Sequence, residues 1–244
     1  MANTQKRENT HCCHCSTNCC FVQDFCSSTW VGIINQSRNS SLYQKGQYIF
    51  REGDRVFGLH FIQQGKAKIT STGLNGREQI VRLAKSGHIL GHMGNGSETY
   101  PVGAVAIEDT WICFLDNTTL NDAFLNNPKF TYNLMLFYAT ELRKTEIRLR
   151  HLAQMTIKEK VAECLLTIKK TFGERTEDGS LNVTLCRQEL ADIAGTNAEQ
   201  VTRELTDFEN QLLIAKSGKR IIVLDSDGLL NIIAHHNINK YLSV

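Results

Sequence analysis

The sequence predicts an α+β chain: an N-terminal antiparallel β-roll of the jelly-roll type, one long helix, and a C-terminal winged helix-turn-helix. Three observations predict it. Eleven of the 17 glycines fall between Gly46 and Gly103, with short apolar runs between them. Met135, Tyr138, Leu142, Thr145, Leu149 and Leu152 then recur at alternating steps of three and four. Finally, residues 184–214 carry two short helical apolar stripes on either side of Gly195.

The runs Gln47–Phe50, Leu59–Ile62, Lys66–Thr70 and Gln79–Leu83 are too short for helices and rich in β-branched or aromatic residues. Short strands at regular spacing, joined by turns such as Asn75–Gly76, read as an antiparallel barrel or jelly roll. The roll is expected over residues 31–126, after a cysteine-rich segment at 1–30. At Asn126-Asn127-Pro128 the pattern changes: Asn127 can cap a helix whose first position is Pro128, where a missing N–H costs nothing.

The stripe from Met135 to Leu152 is an a/d seam of about three heptads. Glu141, Arg143, Lys144, Glu146, Arg148 and Arg150 surround it. A narrow stripe with a charged surround fits a helix–helix seam better than a helix lying on its own roll, and a two-fold dimer supplies the second helix. Residues 127–155 are therefore expected to be a dimerisation helix.

Thr156-x-x-Glu159 is a capping box that opens the next helix, and Gly173 ends it. Cys164, among its apolar positions, reads as a small core hydrophobe. ERTEDGS (174–180) reads as a polar linker. In the segment from 156 to 244, Leu190 and Ile193 face one short helix inward, with Ala191 small enough for close approach. Gly195 follows where a tight turn requires positive φ. Val201, Leu205, Phe208 and Leu212 give the second helix its own stripe, leaving Glu199, Thr202 and Arg203 on the opposite face near its N-terminus. That is a helix-turn-helix, whose second helix enters the DNA major groove. Arg suits bidentate contact with guanine, and Glu accepts from cytosine N4. AKSGKRIIVLD adds a hairpin turn at Ser217-Gly218, with Lys216, Lys219 and Arg220 at its tip for phosphate. Arg187, at the head of the first helix, joins the DNA-facing set.

Bulk composition agrees. At 244 residues, 41% hydrophobic and 21% charged, the chain can bury two modest cores. No apolar run reaches the roughly 18 residues that span a bilayer. MANTQKRENT is polar and leads into cysteines, unlike a secretory signal, so a cytoplasmic protein without membrane contact is expected. Residues 156–244 hold 11 Lys/Arg against 13 Asp/Glu, so a nucleic-acid surface there is a local patch.

HCCHCSTNCCFVQDFC, residues 11–26, holds six of the nine cysteines. In a cytoplasmic chain thiols stay reduced, which disfavours a disulfide framework. A metal or cluster site, zinc with cysteines plus His11 or His14, and a thiol-rich tail without function remain open.

QKGQYIFREGD (44–54), EQIVRLAKSGHILG (78–91) and RQELADIAGTNAEQVTREL (187–205) together resemble the bacterial CRP/FNR superfamily of transcription regulators, over about residues 43–225. The resemblance implies a roll like that of cyclic-nucleotide-binding domains. It also implies a homodimer on double-stranded DNA, an effector held by the N-terminal domain, and RNA polymerase as a partner. Cyclic-AMP members carry Gly-Glu and Arg-Ser where this sequence has Gly91-His92 and Tyr100-Pro101, so cyclic AMP is not the expected effector. The oxygen-responsive FNR branch holds a [4Fe–4S] cluster on three N-terminal cysteines and a fourth on the roll. IEDTWICFLD matches the strand of that fourth ligand and puts Cys113 there. The branch's C-x2-C-x5-C spacing is not reproduced. Cys12, Cys15 and Cys20 come one residue short, while Cys26 keeps the x5 gap from Cys20. Cys12, Cys15, Cys20, Cys26 and Cys113 are thus the candidate ligands. Glu199, Thr202 and Arg203 occupy the positions that FNR-type regulators use on TTGA-like half-sites, Thr202 standing where the family more often has Ser.

A regulator of the same family with an organic effector in the roll, or zinc, in place of the cluster is the alternative reading. A jelly-roll metal-dependent enzyme is the competing class, with His60, His88 and His92 as candidate ligands. Its usual His-x-His with a following Glu is missing, so no enzyme is expected and the three histidines read as turn or surface residues.

Overall fold

The computed structural model describes residues 12, 15, 17, 20–73, 76–94 and 96–236. They form two compact units, Met1–Leu142 and Arg143–Val244.

In the first unit, helices α1 (Phe21–Phe25) and α2 (Ser28–Ser37) precede the roll. Its strands are β1 (Asn39–Tyr43), β2 (Tyr48–Phe50), β3 (Gly58–Gln64), β4 (Lys66–Thr72), β5 (Glu78–Lys85), β6 (Ile89–Leu90), β7 (Gly103–Ala106) and β8 (Thr110–Asp116). They pair antiparallel in two sheets, β1-β8-β3-β6 and β2-β7-β4-β5. Helices α3 (Asn117–Asn126) and α4 (Pro128–Gln154) follow.

The β1-β8-β3-β6 sheet is covered on both faces, which is why β3 reads as the near-continuous apolar run GLHFI. Alternation divides it. Ile62 and Ile112 join Phe50, Ile69, Leu90 and Tyr100 between the sheets, while Leu59, Phe61 and Leu115 face out to Phe21, Ile34, Leu120 and Phe130 of the helices. Phe130 is fully buried there, a burial contributing about 1.5–3 kcal/mol. β3 and β8 approach so closely at Gly58 that a Cβ there would meet the Leu115 carbonyl oxygen at 1.9 Å.

Two expectations change here. The 30/31 boundary falls inside α2, whose N-cap is Ser27. Asn127 does lend its carbonyl to Thr131, but its side chain turns away from α4: Nδ2 donates to Ala123 O, and Oδ1 receives Ser27. Asn75 lies outside the described residues, while Gly76 beside it has φ +73°.

In the second unit, α5 (Ile157–Phe172) opens on the Thr156/Glu159 capping box and stops at Gly173, φ +74°. It packs on α6 (Arg187–Ala194), α7 (Ala198–Asn210) and α8 (Ser226–Ile232). Val161, Leu165, Leu190, Ala191, Val201, Leu205 and Phe208 are buried, as is Cys164, whose thiol burial pushes up to about 12. Leu212 is a correction: it lies past the end of α7 and is 73% exposed. β9 (Ile214–Ser217) and β10 (Arg220–Val223) form the wing. Residues 174–180 are more than a linker, because the Glu174–Leu181 bridge closes this stretch on itself and the Ser180–Ile222 bridge ties it to the wing.

Candidate nucleic-acid interface and thiol site

Gly195 takes the left-handed conformation (φ +67°, ψ +41°) that ends α6 and redirects the chain into α7. Asn197 caps α7 by accepting from Gln200 N at 2.9 Å. With Val201, Leu205 and Phe208 inward, Glu199, Thr202 and Arg203 stand exposed on the first two turns, and Thr206 continues the row. The Thr202 hydroxyl donates to Ala198 O at 2.8 Å, which fixes its rotamer on the helix. Arg187 is half-buried in the first turn of α6. The wing cations are already engaged: Lys216 meets Glu209 at 2.7 Å, and Arg220 meets Asp178 at 2.6 Å. Hydrogen bonds from Ser180, and then the Arg220 guanidinium, hold the Asp178 carboxyl down at about 2. Lys219 is exposed at the turn.

On α4, Met135, Leu142, Thr145 and Leu149 of the proposed seam are exposed, and Leu152 is half-buried. Tyr138 faces the roll instead, its hydroxyl donating to His92 O at 2.8 Å. Glu141 and Arg148 also leave the solvated surround. Glu141 pairs with Arg82 at 2.9 Å, and Arg148 donates to Ile193 O at 2.7 Å.

The thiol site lies on the outer face of the β1-β8-β3-β6 sheet. On β8, Cys113 sits between Ser40 and Phe61 on the flanking strands. Cys12, Cys15, Cys20 and Cys113 line one cavity, whose other walls include Phe21, Val22, Ile34, Phe61 and Leu115. The register of β3 on β8 shifts between Ile62 and Gln64, leaving Gln63 as the extra residue of a bulge. A bulge re-aims a side chain. Gln63 Nε2 lies 3.6 Å from Cys15 Sγ, and its Oε1 is 3.9 Å from Cys113 Sγ. Thr17 Oγ1 is 3.0 Å from Cys15 Sγ and donates to Gln63 O at 2.7 Å. Cys12 N donates to Asn35 Oδ1 at 2.8 Å, and Arg38 Nη1 to Cys113 Sγ at 3.4 Å.

Burial raises the Cys12 thiol to about 11 and also lifts Cys20 and Cys113, with the Arg38 guanidinium opposing it at Cys12 and Cys113. Cys26 ends α1 and packs into the helix-covered core outside the cavity lining, its thiol pushed up to about 12 by burial. Cys186 is exposed at the head of α6. His11, His14, Cys13 and Cys19 lie outside the described residues. Among the described residues, no three His, Cys, Asp or Glu converge on a point that would hold a single metal ion.

Sequence reasoning missed Asn35, Arg38 and Gln63, since only the strand bulge and the end of α2 bring them to the thiols. It also misread two histidines. His60 and His92 are buried, at 7% and 5% exposure, and only His88 is half-exposed in a turn. His60 packs, its ring tilted, among Phe50, Tyr100 and Phe114 inside the roll. His92 packs on Phe137 and Tyr138 of α4.

A model of the cyclic nucleotide-binding domain matches residues 41–127, and one of the Crp-like helix-turn-helix domain matches residues 159–232. The chain is 28% identical over 183 residues to the transcriptional activator protein Anr of Pseudomonas protegens, spanning 75% of each. It is 26% identical over 193 residues to the fumarate and nitrate reduction regulatory protein of Salmonella typhimurium, spanning 79% of this chain and 77% of that one. Its fold is shared with FixK2 from Bradyrhizobium japonicum, at a TM-score of 0.72 and 23% identity over 80% of this chain and 96% of that one. A CooA mutant from Carboxydothermus hydrogenoformans gives a TM-score of 0.70 at 18% identity over 88% and 96%.

Proposed function

Since the chain belongs to the CRP/FNR superfamily and is a DNA-binding transcription regulator of that type, we propose that it binds an inverted-repeat operator as a homodimer and responds to oxygen or redox state through a [4Fe–4S] cluster. One observation carries the sensing part: four thiols, three from the N-terminal run and one from the roll, border a single cavity. Four cysteine thiolates are what such a cluster requires. A lone zinc ion takes its ligands within about 2.0–2.3 Å of one point. A cluster spreads its ligands over the corners of a larger core. Cys12, Cys15, Cys20 and Cys113 would hold it, with Cys26 as an apolar neighbour.

When bound, the cluster supplies one-electron chemistry and a reactivity toward oxygen that a thiol cage alone lacks. The chain's residues do the rest. Phe21 follows Cys20, lines the cavity, and meets Phe130 and Phe137 of α4 edge-on at 5.4 and 6.3 Å. Any change in how Cys20 is held therefore reaches the helix that carries the dimer seam. Cyclic AMP is disfavoured by the filling of the roll. Tyr100 stacks on Phe50 at 4.1 Å, its hydroxyl donates to Gly58 O at 2.9 Å, and its ring lies 2.9 Å from where a Cβ on Gly91 would be. RNA polymerase is the expected protein partner.

The test is anaerobic reconstitution with iron and sulfide, read by iron content and visible absorbance. Wild type should take up iron, Cys113→Ser should lose the absorbance, and Cys164→Ser and Cys186→Ser should keep it. Wild type that holds no iron, or iron retained equally without Cys113, defeats the reading.

A further inference from the structure

Of the described residues lining the thiol cavity, one is charged. Arg38 closes α2, its N–H bonded to Ile34 O at 2.9 Å, and the residue is 8% exposed. Nη1 reaches Cys113 Sγ at 3.4 Å, while Nε donates to Asn35 Oδ1 at 3.3 Å. The same Asn35 oxygen accepts Cys12 N at 2.8 Å. Arg38 and Asn35 thus connect the ligand candidate on the roll with the first ligand candidate of the N-terminal run. A guanidinium brings a fixed positive charge to the cavity, with Nη1 3.4 Å from the Cys113 sulfur. Thiolates carry the opposite charge. Four of them bring four negative charges, of which an iron–sulfide core offsets only part.

We propose that Arg38 is the positioning residue of this site: it donates to the Cys113 sulfur and compensates the negative charge of the thiolate-ligated cluster, holding it in the protein and setting its reduction potential. The inference rests on the cluster reading above. Its physical basis is that net charge and hydrogen bonds to the sulfurs are among the determinants of cluster potential. A nearby fixed cation favours the state with one more electron, so removing it lowers the potential. Partners in the outer shell of a metal site also hold the ligands in place, and losing one typically costs about 10–100-fold in affinity. Sequence alone gives no sign of this, since Arg38 stands in a polar stretch, QSRNSS, that reads as a loop.

The experiment compares wild type, Arg38→Gln and Arg38→Lys after anaerobic reconstitution. The midpoint potential is measured by mediated titration with dithionite, and iron release to a chelator is followed by absorbance. Circular dichroism of each apo form reports folding separately. Arg38→Gln should lower the potential and release iron about 10–100-fold faster. Arg38→Lys keeps the charge but does not reach Cys113 and Asn35 together. It should hold the potential close to wild type while releasing iron at an intermediate rate. If Arg38→Gln does not fold, the lysine variant still decides, through faster release at a nearly unchanged potential. Variants that match wild type in both readouts overturn the proposal, as does lost apo stability with no change in potential. Wild type without iron marks failure of the cluster reading itself, before any variant is compared.

Discussion

Arg220 on the wing and Asp178 in the stretch before it meet at 2.6 Å, so a cation proposed to contact DNA phosphate is held by an acid of its own chain. Both are partly solvated, and pairs in that setting add little to stability. Asp178→Asn should therefore leave stability almost unchanged while freeing Arg220. DNA affinity should rise on all sequences, and the slope of log K against log salt should steepen by about 0.9 for each additional phosphate neutralised. An unchanged slope in a salt titration would mean that Arg220 does not reach phosphate.

Arg203 stands exposed on the second turn of α7, near the helix end that in helix-turn-helix proteins meets base edges. Arg203→Ala should cost about 1–3 kcal/mol per half-site and relax preference at one guanine of a TTGA-like half-site. Mobility shifts on single-base operator variants measure this. Equal weakening on every sequence would make Arg203 a phosphate ligand.

Leu149 is 69% exposed on α4, with Leu142 at 62% and Met135 at 56%. Leu149→Asp should place a charge in the proposed apolar seam and split the proposed dimer, with loss of operator binding at the same protein concentration. Light scattering should then give the monomer mass. A variant that stays dimeric would move the dimer interface elsewhere.

His60 and His92 are neutral passengers whose pKa values burial drives down from 6.5, to about 4 and about 3. Between those values and 6.5 the unfolded chain takes up protons that the folded chain does not. Stability is therefore full above about pH 6.5 and falls as pH drops toward 4, by up to about 1.4 kcal/mol per pH unit for each histidine. Trp30 and Trp111, the chain's two tryptophans, both lie in the first unit, so their fluorescence follows that unit alone. Urea midpoints of His60→Leu should show a shallower pH slope than wild type across pH 4–6. An identical slope would mean that His60 protonates in the folded roll.

Elements whose ends are set by local chemistry were legible in the sequence. Pro128, the Thr156/Glu159 box, Gly173 and Gly195 mark helix ends in the structure where the residues alone put them. Strands β2 to β5 were legible because glycine turns bracket them, whereas β1, β6 and β7 were not singled out. Helix α2 was not: Thr29, Val31, Gly32, Ile33 and Ile34 are poor helix formers, and packing against the roll overrides that preference. The thiol site was half legible. The cysteines announced themselves, but the Gln63 bulge and the approach of Arg38 to Cys113 depend on register and on packing between segments 75 residues apart. Burial of His60 escaped notice for the same reason, since His at an inward position of a strand looks no different in sequence from His in a turn.

The border between the two compact units, at Leu142 and Arg143, falls inside the 27 residues of α4. A polypeptide severed there would leave four carbonyls of a helical turn without donors. Residues before and after an insertion in this helix keep a common face only if helical phase is preserved. One inserted residue turns everything after it by about 100° around the axis, while an insertion of seven restores the original direction to within about 20°. Natural length variation along this helix should accordingly favour steps such as seven, eleven or eighteen residues, which return the chain to within about 20° of its original direction.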